Sequence, residues 1–231
     1  MDLSASRIDT GCAATVHLFT ANSLQGLVDA HTHLLTAAEL QRAGGRSQRL
    51  ESYILLRLLL SEATGIGPGD LDLRVGAPGI RTHLHGVADP PRISLSRTNG
   101  YTAVALARGP VGIDVETTRP TEQCQLLLSL LHPSDRRRLN RRRFPRFVFR
   151  REVTAAWTRK EATLKAQAVG LSRDPALDEV GTRRTPLAPP GYRVLNLNSH
   201  HRGVELALCL SSAPDRPTPA VESGGGVRPI S

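Results

Sequence analysis

Two stretches of this 231-residue chain hold the side chains best suited to chemistry. In VGIDVE, Val111 to Glu116, strand alternation puts Gly112, Asp114 and Glu116 on one face and Val111, Ile113 and Val115 on the other. Two carboxylates converging beside a glycine suit a hard cation such as Mg²⁺, which takes oxygen ligands and is often held by one or two carboxylates plus substrate phosphates. The plainer reading of so short a motif is a strand end with a solvated acidic face. The second stretch is WTRKEATLKAQAVGL, Trp157 to Leu171. Of 30 lysines and arginines only two are lysine, Lys160 and Lys165, and they bracket Glu161. On a helix Glu161 and Lys165 form an i,i+4 pair in the favourable orientation, worth about 0.2–0.5 kcal/mol. Joined to Asp114 and Glu116, Glu161 could complete a metal site for phosphoryl chemistry, with ammonium groups nearby to meet phosphate charge.

These residues need strands and helices to hold them. Thr15 to Thr20 alternates as a strand, Thr36 to Arg42 opens a short helix, and SQRLESYILLRLLLSEATG is the strongest helix of the first half, with Ser47 as its N-cap and Gly65 as its stop. Leu71 to Val75 reads as a strand and Gly76 to Pro91 as a loop. Arg92 to Ser96, Tyr101 to Ala107 and Val111 to Glu116 then follow with short turns between them, which implies antiparallel neighbours. Glu122 to Leu131 and a segment capped by Ser134 are helical; Phe147 to Ala168 runs as one long helix before Gly170. Tyr192 to Leu197 and Val204 to Leu210 form a closing hairpin. From Ala213 onward proline, glycine and serine dominate, and a disordered tail is expected. The pattern is α+β, and each half has a long helix beside several strands. That suggests two similar lobes, 1–108 and 109–212, with a cleft between them.

Composition narrows the setting. Cys12, Cys124 and Cys209 are odd in number and far apart, so neither a disulfide framework nor a CxxC site is indicated, which fits a reducing cytoplasm. No signal peptide or membrane span is expected: the most apolar run, Tyr53 to Leu60, is short and carries Arg57. A net charge of +9 points to an anionic partner: nucleic acid, a phosphorylated small molecule or an acidic protein.

VGIDVE followed by WTRKEATLKAQAVGL resembles the paired signature of Sfp-type 4′-phosphopantetheinyl transferases, (V/I)G(I/V)D(I/V)E and then WxxKEAxxKAxGxGL. The family's upstream serine-histidine element resembles SLSRTNGYTAVALA, and the resemblance runs over roughly residues 35–210. It implies two α+β lobes related by a pseudo-twofold, with the active site between them. It also implies a monomeric, Mg²⁺-dependent enzyme that moves 4′-phosphopantetheine from coenzyme A to a serine of an acidic acyl or peptidyl carrier protein. Carried over by residue, the resemblance gives Asp114, Glu116 and Glu161 to the metal, Glu161 also to proton removal, and Lys165 to the pyrophosphate and leaving group. Lys160 would add charge at the same place, and Asp135 matches an acidic position near the metal's water shell. Ser96 and Arg97 fall at the coenzyme A element, with Arg97 in place of the usual histidine towards the 3′-phosphate. The Gly-Lys-Pro-like element has become His85-Gly86-Val87-Ala88, without its basic residue. Arg81, Arg92 or amino-terminal arginines such as Arg42 and Arg49 are left to replace it.

Two other constellations compete. His31 and His33 in DAHTHL would share a strand face like the HxH element of amidohydrolase barrels, but such barrels typically need about 250 residues and regular βα alternation. His83 and His85 repeat that spacing in a Gly/Pro loop. The run RRRLNRRRFPRFVFRR, Arg136 to Arg151, suits a solvated helical face, a carrier-docking surface or nucleic acid. A non-catalytic basic binding protein, as a degenerate transferase paralogue or a nucleic-acid binder, is therefore the alternative to the enzyme.

Overall fold

The computed structural model describes residues 6–8, 10–12, 14–75, 80–83, 90–141, 145–182 and 184–212. The Gly-Lys-Pro-like position at 85–88 and the tail from 213 lie outside them. The chain opens with β1 (Ser6–Ile8) and β2 (Ala14–Thr20), then the short helices α1 (Leu27–His31) and α2 (Ala37–Ala43). The long α3 (Ser47–Thr64) follows, ended by Gly65 at φ 74°, a left-handed cap that glycine adopts without Cβ strain. Its N-cap is Arg46 rather than Ser47, with no side-chain capping bond. Next come β3 (Asp72–Val75), β4 (Ile80–His83), β5 (Arg92–Thr98), β6 (Tyr101–Ala107) and β7 (Val111–Thr117). β4 lies inside the stretch read as a loop; it is defined by antiparallel pairing with β3, which local composition does not reveal. The remaining elements are α4 (Thr121–Leu130), α5 (Pro133–Asn140), α6 (Arg146–Ala166), β8 (Gly181–Thr182), β9 (Thr185–Pro186), β10 (Tyr192–Leu197) and β11 (Val204–Ser211).

Strands β1-β2-β6-β5 form one antiparallel sheet and β10-β11-β7 another. The fold is mixed α and β, as expected. Ile54, Leu55 and Leu59 of α3 pack with Phe19, Ile93, Val104 and Leu106 on one side of the first sheet. The opposite side, with Val16, Leu18, Ala103 and Ala105, packs on Ile113, Val115, Leu206 and Leu208 of the second sheet. The antiparallel expectation therefore holds for β5 and β6 and fails for β7. After the turn at 108–110, the alternating Val111, Ile113 and Val115 bury against the face of the first sheet, and the backbone of β7 pairs with β11 instead.

Arg57 explains why the apolar run is interrupted. It is fully buried, with Nη2 donating to Glu39 Oε2 at 2.9 Å and Nη1 to the carbonyls of Pro68 and Leu71 at 2.7 and 3.0 Å. Glu39 also closes a capping box with Thr36, so one ion pair ties α2, α3 and the approach to β3. Removing one partner of such a buried pair typically costs about 3–5 kcal/mol.

Candidate active site

Edge strands β5 and β7 of the two sheets lie side by side and are joined through hydroxyls. Ser94 Oγ accepts from the Ile113 amide at 3.1 Å, Ser96 Oγ donates to Asp114 Oδ1 at 2.6 Å, and Thr98 Oγ1 donates to Glu116 Oε2 at 3.0 Å. Positions 96 and 98 meet 114 and 116 in the same order, so the strands run parallel. Asp114 and Glu116 are 3% and 9% exposed, which excludes a solvated acidic face. The Arg119 guanidinium also donates to Glu116 Oε2. Among so many arginines nothing in the sequence had distinguished Arg119.

Helix α6 crosses the same face at very short range. A Cβ built on Gly112 would stand 1.9 Å from the Ala162 carbonyl oxygen and 2.5 Å from the Ala166 nitrogen. What Gly112 admits is thus the backbone of α6. This approach brings Lys165 to the strand, where Nζ donates to Asp114 Oδ1 at 2.7 Å and to the Ile113 carbonyl at 3.1 Å. Glu161 lies one turn earlier. Burial raises its pKa, the charges of Asp114 and Glu116 raise it further, and Lys165 opposes them. Burial likewise raises Asp114, against the pull of Lys165 and Ser96. Asp114 Oδ2 is buried without a hydrogen-bond partner. Among the described residues, no three His, Cys, Asp or Glu side chains already form a metal-holding cluster. The three carboxylates share one electrostatic field rather than a finished cage.

Other sequence candidates are distributed differently. Lys160 is fully buried and donates to the Asp178 carbonyl; burial lowers its pKa to about 8, with Asp178 and Asp135 opposing. Its contacts lie away from Asp114, which corrects the expectation that it adds charge there. Asp135 accepts from the Val180 amide at 2.8 Å, and its field partners are Glu179, Lys160 and Arg159 rather than the carboxylates of β7. Ser96 positions Asp114. Arg97, the next residue on β5, instead binds Glu51 of α3 at 2.9 Å, and its Nε and Nη2 are buried without partners. Arg42 and Arg49 are exposed, with Arg49 Nη1 on the Arg42 carbonyl at 3.0 Å, a contact that places neither beside Asp114. Arg92 lies with Lys165, Ile93, Leu95, Val111 and Tyr192 around a cleft of about 460 Å³. His31 ends a helix and His33 sits in a 3₁₀ turn, their rings 6.1 Å apart, so the shared strand face is not formed.

A divalent cation fits the donor set: the orphaned Asp114 oxygen and the Glu161 carboxylate, which no hydrogen bond or ion pair among the described residues engages, are hard oxygen donors. Residues 110–209 match the family model of the 4′-phosphopantetheinyl transferase superfamily. The match covers β7, α6 and hence Asp114, Glu116, Glu161 and Lys165, and leaves β5 with Ser96 and Arg97 outside. No curated protein matches the chain.

Proposed function

Taking residues 110–209 as a segment of the 4′-phosphopantetheinyl transferase superfamily, we propose that the protein transfers 4′-phosphopantetheine from coenzyme A to a serine of an acyl or peptidyl carrier protein. Adenosine 3′,5′-bisphosphate is the product released. The observation that carries this reading is the contact of Lys165 of α6 with Asp114 of β7, one helical turn beyond Glu161, which lies in the electrostatic field of Asp114 and Glu116. Asp114, Glu116 and Glu161 would hold Mg²⁺, which when bound neutralises pyrophosphate charge.

The chain's own groups do the rest. The carrier serine oxygen bonds to the β-phosphorus as the bond from that phosphorus to the bridging oxygen breaks. The serine proton passes to Glu161, the role that the family resemblance gives this carboxylate. Lys165, held at the β7 backbone, offsets the charge that grows on the departing bisphosphate. Ser96 and Thr98 orient the two strand carboxylates, Arg97 receives a nucleotide phosphate, and Arg92 in the cleft beside Lys165 supplies basic charge that the 85–88 element lacks. A long helix over a sheet in each half, with the carboxylates where the two sheets meet, supports the two-lobed reading with its boundary after residue 108; the family resemblance supports a monomer, and the three scattered cysteines a reducing cytoplasm.

The test is to incubate the folded protein with coenzyme A, Mg²⁺ and several apo carrier proteins and weigh the carriers. One carrier should gain the mass of one phosphopantetheine, and Glu161→Ala or Lys165→Ala should slow that gain by roughly 10²–10³-fold, as for loss of one charge-stabilising group. No gain on any carrier would favour the non-catalytic basic binding protein.

A further inference from the structure

Arg97, half-buried, is built differently from the fully buried Arg57 and Arg159. Arg57 and Arg159 spend their guanidinium donors on acceptors inside the fold, among them Glu39 Oε2 for Arg57 and the carbonyls of Val180 and Gly181 for Arg159. Arg97 spends Nη1 alone, on Glu51 Oε2 at 2.9 Å. Nε and Nη2 are buried and unpartnered. Those two atoms lie on one edge of the guanidinium plane, and together they are the side-on fork that matches two oxygens of a phosphate or carboxylate. The side chain lines a small concavity of about 140 Å³ with Gln48, Glu51 and Thr98. Buried donors on a permanent cation are costly to leave unmatched, so a fixed, unmatched fork suits an anion that arrives with the ligand.

We infer that Glu51 is a positioning residue: by holding Nη1 from α3 it fixes Arg97 so that the Nε–Nη2 edge reads a terminal phosphomonoester, selecting coenzyme A over 3′-dephospho-coenzyme A. The inference rests on the coenzyme A reading above and adds a residue from the half of the chain that the family match does not reach. Two physical effects of Glu51 oppose one another. Its charge weakens the positive field at Arg97, and its hydrogen bond removes the rotational freedom of a long side chain. The orphaned fork indicates that orientation dominates, because a mobile guanidinium would turn those donors towards solvent or a nearby carbonyl.

Calorimetric titration of the full chain with coenzyme A and with 3′-dephospho-coenzyme A decides this, using wild type, Glu51→Ala, Glu51→Gln and Arg97→Ala. The wild type should prefer coenzyme A by about 10–100-fold, which is about 1.4–2.8 kcal/mol, the range of a charge-assisted hydrogen bond. Arg97→Ala should abolish the preference. Glu51→Ala should cut it by roughly 3–10-fold while barely moving the affinity for the dephospho form. Glu51→Gln, which keeps an acceptor for Nη1, should restore part of it. In turnover assays Glu51→Ala should raise KM for coenzyme A more than it lowers kcat. An undiminished or larger preference in Glu51→Ala would show that Glu51 only competes with the phosphate, overturning the proposal while leaving the coenzyme A reading intact. A wild type that binds neither compound would overturn both.

Discussion

Asp114 and Lys165 meet at 2.7 Å, yet the cluster around them is not neutral: Glu116 and Glu161 add two carboxylates to the same field. The fold disfavours the charge of Glu161, because burial and both acidic neighbours raise its pKa against the pull of Lys165. A raised carboxylate binds its proton more tightly in the folded state. Stability from this group is therefore fully present below the unfolded value of about 4.3 and is lost as pH rises through the higher folded value. Glu161→Gln should remove that slope and stabilise the metal-free protein by on the order of 1 kcal/mol, the usual sign of a strained functional group. Added Mg²⁺ should reverse the order by stabilising wild type more than the variant. Thermal unfolding across pH 4–7, with and without Mg²⁺, checks both; a variant less stable than wild type in the absence of metal would contradict this account. This cluster was legible in the sequence because strand alternation pairs Asp114 with Glu116 and helical spacing puts Lys165 one turn beyond Glu161. Lys160 was not, since one residue along a helix is a rotation of about 100°, enough to turn it into the buried Asp178 side.

The elements show why α6 stops where it does. Ala168 has φ 55° just after the helix, a left-handed conformation that costs an L-residue about 1–2 kcal/mol. It stands at the first glycine of the WxxKEAxxKAxGxGL pattern. Ala168 is exposed, so removing its methyl sacrifices little packing. Ala168→Gly should stabilise the protein by about 0.5–1 kcal/mol, after allowing for the extra freedom glycine has when unfolded. A denaturant midpoint that moves up at constant m-value is the expected result, and a fall would show that the methyl contributes packing at the cleft. Elements were readable where periodicity is strong, as in β6 and in α6, which ends at Ala166 rather than at the expected Ala168. The parallel contact of β5 and β7 was not, because it is made by Ser94, Ser96 and Thr98 side chains rather than by a backbone ladder. Short turns suggested an antiparallel ladder, and face-to-face burial of the β7 valines prevailed.

On the scale of the whole molecule, a charge of +9 becomes informative only once exposure is known. Arg136, Arg137 and Arg141 are exposed on or just after α5, whereas Arg138 is paired with Glu179 and Asp135. Close by in the chain, Leu126 is 71% and Phe147 62% exposed. In the chain, α4 follows β7 after only Thr118 to Pro120, and α5 with its exposed arginines follows α4. An acidic carrier would be steered there by long-range charge and held by the apolar side chains. The double substitution Arg136→Glu and Arg137→Glu should raise KM for the carrier by about 10-fold at low salt and leave KM for coenzyme A near the wild-type value. The difference should shrink with added salt, since at about 0.15 M charges are screened over roughly 8 Å. Steady-state kinetics at two ionic strengths distinguish this from nucleic-acid binding, which would leave both KM values unchanged while weakening retention of the variant on duplex DNA.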